Sequence, residues 1–181
     1  MHGASPPSPW FLAQRDRLVA AARRGPVLDL ACGRGRHALA AAELGAATLG
    51  IDRDESALRA LQAEAEQRRL PLGCLRADLE TPLGIPVKPA SCGVILVFRF
   101  LFRPLAPAIS AALAPGGLLL YETFTVAQRA LGSGPRRAEF LLEPGELRSL
   151  FSDLEPLEHW EGRTDSPSPE CLARLAAQRP V

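Results

Sequence analysis

The 181-residue sequence predicts an α/β protein: a Rossmann-like, doubly wound, mostly parallel seven-stranded sheet with helices on both faces. Three observations predict it. Short, nearly all-apolar runs such as VLDLA (27–31) and CGVILVFRF (92–100) read as strands covered on both sides. Alanine- and leucine-rich helical stretches alternate with them, the pattern of βαβ units. A glycine turn or an acid follows each early strand, at the end where such sheets carry their ligands.

Taken in order, residues 1–9 are rich in Pro and Ser and read as a flexible tail before a single domain over 10–181. A helix is expected over about 10–24, with Phe11, Leu12, Leu18 and Val19 as its apolar stripe and Gly25-Pro26 as its stop. Strand 27–31 leads through Cys32-Gly33-Arg34-Gly35 into a helix over 36–45 that closes on Gly45. Strand 47–52 is followed by helix 55–70, with Leu58 and Leu61 inward and Arg68 and Arg69 at the carboxyl end. Strands 71–79 and 92–100 come next, then a short helix over 104–114 stopped by Pro115-Gly116-Gly117, then strand 117–124. A helix over about 144–151 precedes 154–162 and 170–180, which read as a closing strand pair. The second of these fits a helix equally well.

Hydrophobic residues make up 47% and charged residues 23%, as in globular proteins, and the net charge of +1 gives no field favouring nucleic acid or an anionic membrane. Lys88 is the only lysine. Cys32, Cys74, Cys92 and Cys171 show no metal-ligand spacing and no disulfide framework, so no metal is expected and a reducing cytoplasm suits them. No signal-peptide pattern and no apolar stretch of membrane-spanning length is present, so a cytoplasmic protein is expected.

The chemistry concentrates at the strand ends. Gly33-x-Gly35-x-x-Ala38 loosely fits a dinucleotide loop, which brings backbone amides to a pyrophosphate. Asp29, four residues before Gly33, favours a different cofactor. A carboxylate there opposes the ammonium of the methionine portion of S-adenosylmethionine (SAM). Asp52, 19 residues after Gly33, is placed to grip a ribose diol. Asp78, in RADLE (76–80), is placed to accept from an adenine amino group while the Leu79 amide donates to the ring. Singly, Asp52 also reads as a helix N-cap and Asp78 as a turn former; three acids at three successive strand ends favour the cofactor.

These pieces resemble class I SAM-dependent methyltransferases: VLDLACGRG as the glycine loop, GIDRD, RADLE, VILVFRFLFRPL after strand four, and LAPGGLLLYETF into strand five. The resemblance implies that 10–181 is one SAM-binding methyltransferase domain releasing S-adenosylhomocysteine (SAH). It implies Asp29, Gly33 and Gly35 near the methionine portion, Asp52 on the ribose and Asp78-Leu79 on the adenine. Cys32, Arg34, Arg53, Ala77 and Phe98 join them as cofactor-contacting positions, Arg53 flanking the adenine or else lying in solvent. More narrowly, ACGRGRHALA, EFLLEPGELRSLF (139–151) and HWEGRTD (159–165) are similar to the small tellurite-resistance type. Of its late loop, Arg163-Thr164-Asp165 matches and His159 is displaced.

On the substrate side the candidates are Arg99, Arg103, Tyr121, Glu122 and Arg163, with no catalytic residue assigned. Arg99 and Arg103 either draw an anionic acceptor or pair with surface acids. The strand-four exit lacks the Asn/Asp-Pro-Pro-aromatic tetrapeptide of nucleic-acid amine methylation. His37 reads as structural, and Trp10-Phe11 as core packing rather than a lid. Transfer to a thiolate or oxyanion needs no base, so the expected acceptor is a small molecule with an anionic or soft nucleophile. A protein or RNA methyltransferase and a non-catalytic SAM/SAH-binding module are the alternatives. A nicotinamide-dependent reductase is disfavoured by the missing Tyr-x-x-x-Lys pair.

Overall fold

A computed structural model describes residues 5–181. Residues 1–4 of the tail expected over 1–9 lie outside the described residues. Within the remainder Ser8 is buried and Pro9 already opens a helix, because the Ser8 amide and hydroxyl both find partners in the body of the protein.

The chain runs α1 (Pro9–Ala13), α2 (Arg15–Ala21), a 3-10 turn (Ala22–Arg24), β1 (Val27–Leu30), α3 (Arg36–Glu43), β2 (Thr48–Asp52), α4 (Glu55–Gln67) and β3 (Leu72–Arg76). It continues through β4 (Cys92–Phe98), α5 (Ala106–Ala112), β5 (Leu113–Phe124), α6 (Glu146–Leu150), β6 (Glu155–Arg163) and β7 (Cys171–Gln178). One seven-stranded sheet results, in the order β3-β2-β1-β4-β5-β7-β6, with β7 running antiparallel to β5 and β6 and the other pairs parallel. This is the doubly wound α/β architecture that the alternation predicts. The order reverses between β1 and β4, so the carboxyl ends of those strands border the crevice where such folds bind ligands.

The period-two rule divides the strands between two cores. On one face Val27, Val94 and Leu96 meet Trp10, Phe11 and Leu18. On the other, Leu28, Leu30, Ile95 and Val97 meet Ile109 of α5 with Leu147 and Phe151. Asp29 shares the face of Val27, so a carboxyl enters an otherwise apolar layer.

Three elements depart from expectation. The helix expected over 10–24 is two short helices and a 3-10 turn, broken at Gln14, whose amide group donates instead to Glu158 of β6 at 2.9 Å. The strand expected over 71–79 ends at Arg76, and the connection over 77–91, with three prolines and a glycine, forms turns. The open choice at 170–180 resolves as a strand: CLARLAAQ has helix-forming residues, yet it is buried on both faces and paired on both edges. Among the described residues no helix is long and apolar enough to cross a membrane.

Candidate functional site

The glycine loop after β1 is pinned to the end of β2. The Gly33 amide donates to Asp52 Oδ2 at 2.7 Å, the Asp54 amide to Asp52 Oδ1 at 2.8 Å, and the Cys32 amide to the Ile51 carbonyl at 3.0 Å. Gly35 has φ 71°, and a Cβ there would stand 2.4 Å from Leu61 Cδ1, so only glycine lets the loop lie against α4. Ala31 and Arg99 also adopt left-handed φ values of 53° and 60° at the ends of β1 and β4. Local backbone strain of this kind collects at functional sites.

Asp29 accepts from the Ala38 amide at 3.0 Å. It thereby satisfies the first turn of α3, whose N-cap, Gly35, has no side chain to do so. Burial pushes its carboxyl up to about 7, opposed by that hydrogen bond and by Arg36.

Two clefts open at this rim. The larger, about 620 Å³, is bordered by Asp29, Cys32, Arg34, Arg36, Phe98 and Arg99. The smaller, about 250 Å³, is bordered by Asp52, Arg53, Ala77, Asp78, Leu79 and Phe100. Ala31 lines both, so they meet over the end of β1. The cofactor candidates thus gather in one place. Asp78 is exposed and accepts from the Glu80 amide at 2.9 Å, Leu79 is buried, and Arg53 turns to Glu80 at 2.8 Å on the rim. The donor set fits an adenosyl amino acid: a carboxyl and guanidinia in one cleft, three acids, Asp52, Asp78 and Glu80, and an apolar floor in the other.

The substrate-side candidates separate. Arg99 borders the larger cleft, held bidentate by Glu170 at 2.5 Å and lying 4.6 Å from the Phe124 ring centre. Arg103 instead clamps the 139–146 loop, pairing with Glu146 at 2.5 and 2.9 Å and donating to the Glu139 and Leu141 carbonyls. Tyr121 is buried, its hydroxyl donating to the Phe100 carbonyl at 3.0 Å. Glu122 is buried beneath the cleft, accepting from Arg174 at 2.8 Å and Ser8 at 3.1 Å. Arg163 is exposed at the end of β6 and borders neither cleft.

His37, read from the sequence as structural, is buried and also borders the larger cleft. Its Nε2 accepts from the Ser8 amide at 3.1 Å, its ring stacks on Phe98 at 3.7 Å, and burial lowers its pKa to about 3. Trp10 and Phe11 are core residues, Trp10 donating to Glu158 at 2.7 Å. Sequence reasoning missed Arg36, Phe100 and Ser5 at the clefts. Arg36 directly follows the glycine loop, a usable signal; Ser5 carries none.

Residues 27–117 match a family described as a methyltransferase domain. The chain belongs to the methyltransferase-domain family. Over 97 residues this methyltransferase is 41% identical to the ribosomal protein L11 methyltransferase of Dechloromonas aromatica, covering 51% of the chain and 30% of that protein. It thus spans about a third of the length of such curated relatives. In fold it is similar to TehB from Haemophilus influenzae, with TM-score 0.72 and 22% identity over 91% of this chain and 62% of that one. It is equally similar to a SAM-dependent methyltransferase from Methanosarcina mazei, with TM-score 0.73 and 15% identity over 98% and 100%.

Proposed function

We propose that this methyltransferase acts on a small acceptor carrying an anionic or soft nucleophile. In this reading the adenosyl part of SAM lies in the smaller cleft against Asp52, Asp78 and Leu79, and the methionine part lies in the larger one against Asp29 and the glycine loop. The carrying observation is the charge around the larger cleft: Arg34 and Arg36 border it with a single lining acid, Asp29, which burial pushes up to about 7, while the charge of Arg99 is answered by Glu170. An anionic acceptor is favoured there over a cationic one.

When bound, SAM supplies a methyl group on a sulfonium, which leaves readily. The protein's task is to position the acceptor in line and exclude water. Phe98 and Ala31 shape the wall, and Arg99, fixed by Glu170, borders the entrance. The side chains that would suit a general base are otherwise engaged: His37 is neutral with Nε2 occupied, and the Tyr121 hydroxyl is spent on Phe100. A thiolate or an oxyanion needs no such base; a neutral hydroxyl does.

A protein acceptor is the second reading, favoured by the identity to ribosomal protein L11 methyltransferases. The match covers under a third of the Dechloromonas protein, so it reflects the shared catalytic core more than its means of recognising a substrate.

The test is SAH release from SAM with thiols, selenite, tellurite, small carboxylates, a ribosomal protein and bulk RNA. Turnover with one of the small acceptors is expected. Turnover confined to protein or RNA would overturn the proposal.

A further inference from the structure

We propose that Arg174 of β7 binds the far end of the acceptor and selects one that carries a carboxylate there. This rests on the small anionic acceptor argued above.

One row of paired residues crosses the sheet beside the larger cleft. Phe98 of β4 stands next to Glu122 of β5, Glu122 next to Arg174, and Arg174 next to Trp160 of β6. Residues paired in this way point to one face of the sheet. Phe98 borders the cleft, and strands lie about 4.8 Å apart, so the Arg174 backbone stands roughly 10 Å from that of Phe98. An acceptor seated over Phe98 and extending along the row meets Glu122 and then Arg174.

The head of Arg174 is held at two points. Its Nε donates to Glu122 Oε2 at 2.8 Å, and its Cζ lies 4.7 Å from the centre of the Trp160 ring. Neutralising Glu122 takes one of the five N–H donors of the guanidinium. The two Nη groups have no hydrogen-bond partner among the described residues, and neither is sealed from solvent. A guanidinium with a fixed plane and a free Nη pair is pre-organised for a planar anion with two oxygens. The neighbouring arginines are not in this condition. Arg99 gives both Nη groups to Glu170, and Arg103 spends its fork on Glu146 and two carbonyls. A nucleophile directed at the glycine loop, with a carboxylate a few carbon atoms away, matches the row.

The test is an NMR titration of the isotope-labelled, SAH-loaded protein, read at the indole N–H of Trp160, which Trp160→Phe distinguishes from that of Trp10. Mercaptopropionate, mercaptopropanol and mercaptopropylamine share a thiol and differ in the charge of the other end. Wild type is expected to bind mercaptopropionate about 10-fold more tightly than the other two, and Arg174→Gln to lose that preference. Arg174→Lys, which keeps the charge and lacks the fork, should be intermediate. Arg174→Gln leaves the buried Glu122 without its cation, so Glu122→Gln/Arg174→Gln, which removes both charges, is measured beside it and should lose the preference alike. Thermal denaturation and SAH titration check each variant, with SAH affinity expected to stay within about twofold. Wild type without the preference, or Arg174→Gln with it, would overturn the assignment. The small anionic acceptor itself would fall on a different result, SAH release that requires protein or RNA.

Discussion

Asp29 joins two tasks in one carboxyl: it ends the unpaired amide of α3, and it faces the cleft. Its folded pKa, about 7, lies above the ordinary 3.8, so between those values the folded chain holds a proton that the unfolded chain has lost. The ligand-free protein therefore loses stability as pH rises through that window, and the loss is complete above it. Asp29→Asn keeps an acceptor for Ala38 and removes the titration, so it should flatten that slope; urea midpoints at pH 5 and pH 8 measure this. A ligand ammonium favours the ionised form, so SAH binding near pH 6 should release a proton, seen as buffer-dependent heat, and the asparagine variant should release none. Asp29 was legible from sequence as a residue of the strand-end cleft because an acid in an apolar strand needs a reason. Its capping of α3 was not, since that depends on Ala38, nine residues on, being brought beside it by the glycine turn.

Among the elements, the 139–146 loop depends on one residue of the strand-four exit. Arg103 ties this loop through Glu146 and two carbonyls, and the Arg103 pairing holds the Glu146 carboxyl below its usual range. Arg103→Ala should cost about 1–3 kcal/mol of stability, read from a lowered denaturant midpoint, while SAH affinity stays unchanged. A weakened SAH affinity would return Arg103 to the cofactor cleft. The tetrad spacing of Arg99 and Arg103 suggests a shared role in sequence, but the left-handed turn at Arg99 sends the two side chains to different loops. Local spacing read the strands and the glycine loop well, because their periodicity and sterics are local. Partners brought from 43 to 71 residues away were beyond its reach.

Across the whole molecule one sheet carries every element, and both cores extend along it. Unfolding should therefore be a single cooperative transition. SAH at 100 times its Kd should raise stability by about 2.7 kcal/mol and move that transition upward without splitting it. Two separate melts, or a shift with NAD and none with SAH, would contradict this. The architecture and strand order were readable because alternating strands and helices allow few topologies. Glu158 of β6 receives Trp10, Gln14 and Arg17, so the first helices are fastened to a residue 148 positions after Trp10. A chain emerging from the ribosome makes those helices before their anchor exists, so they stay unfastened until β6 has been made.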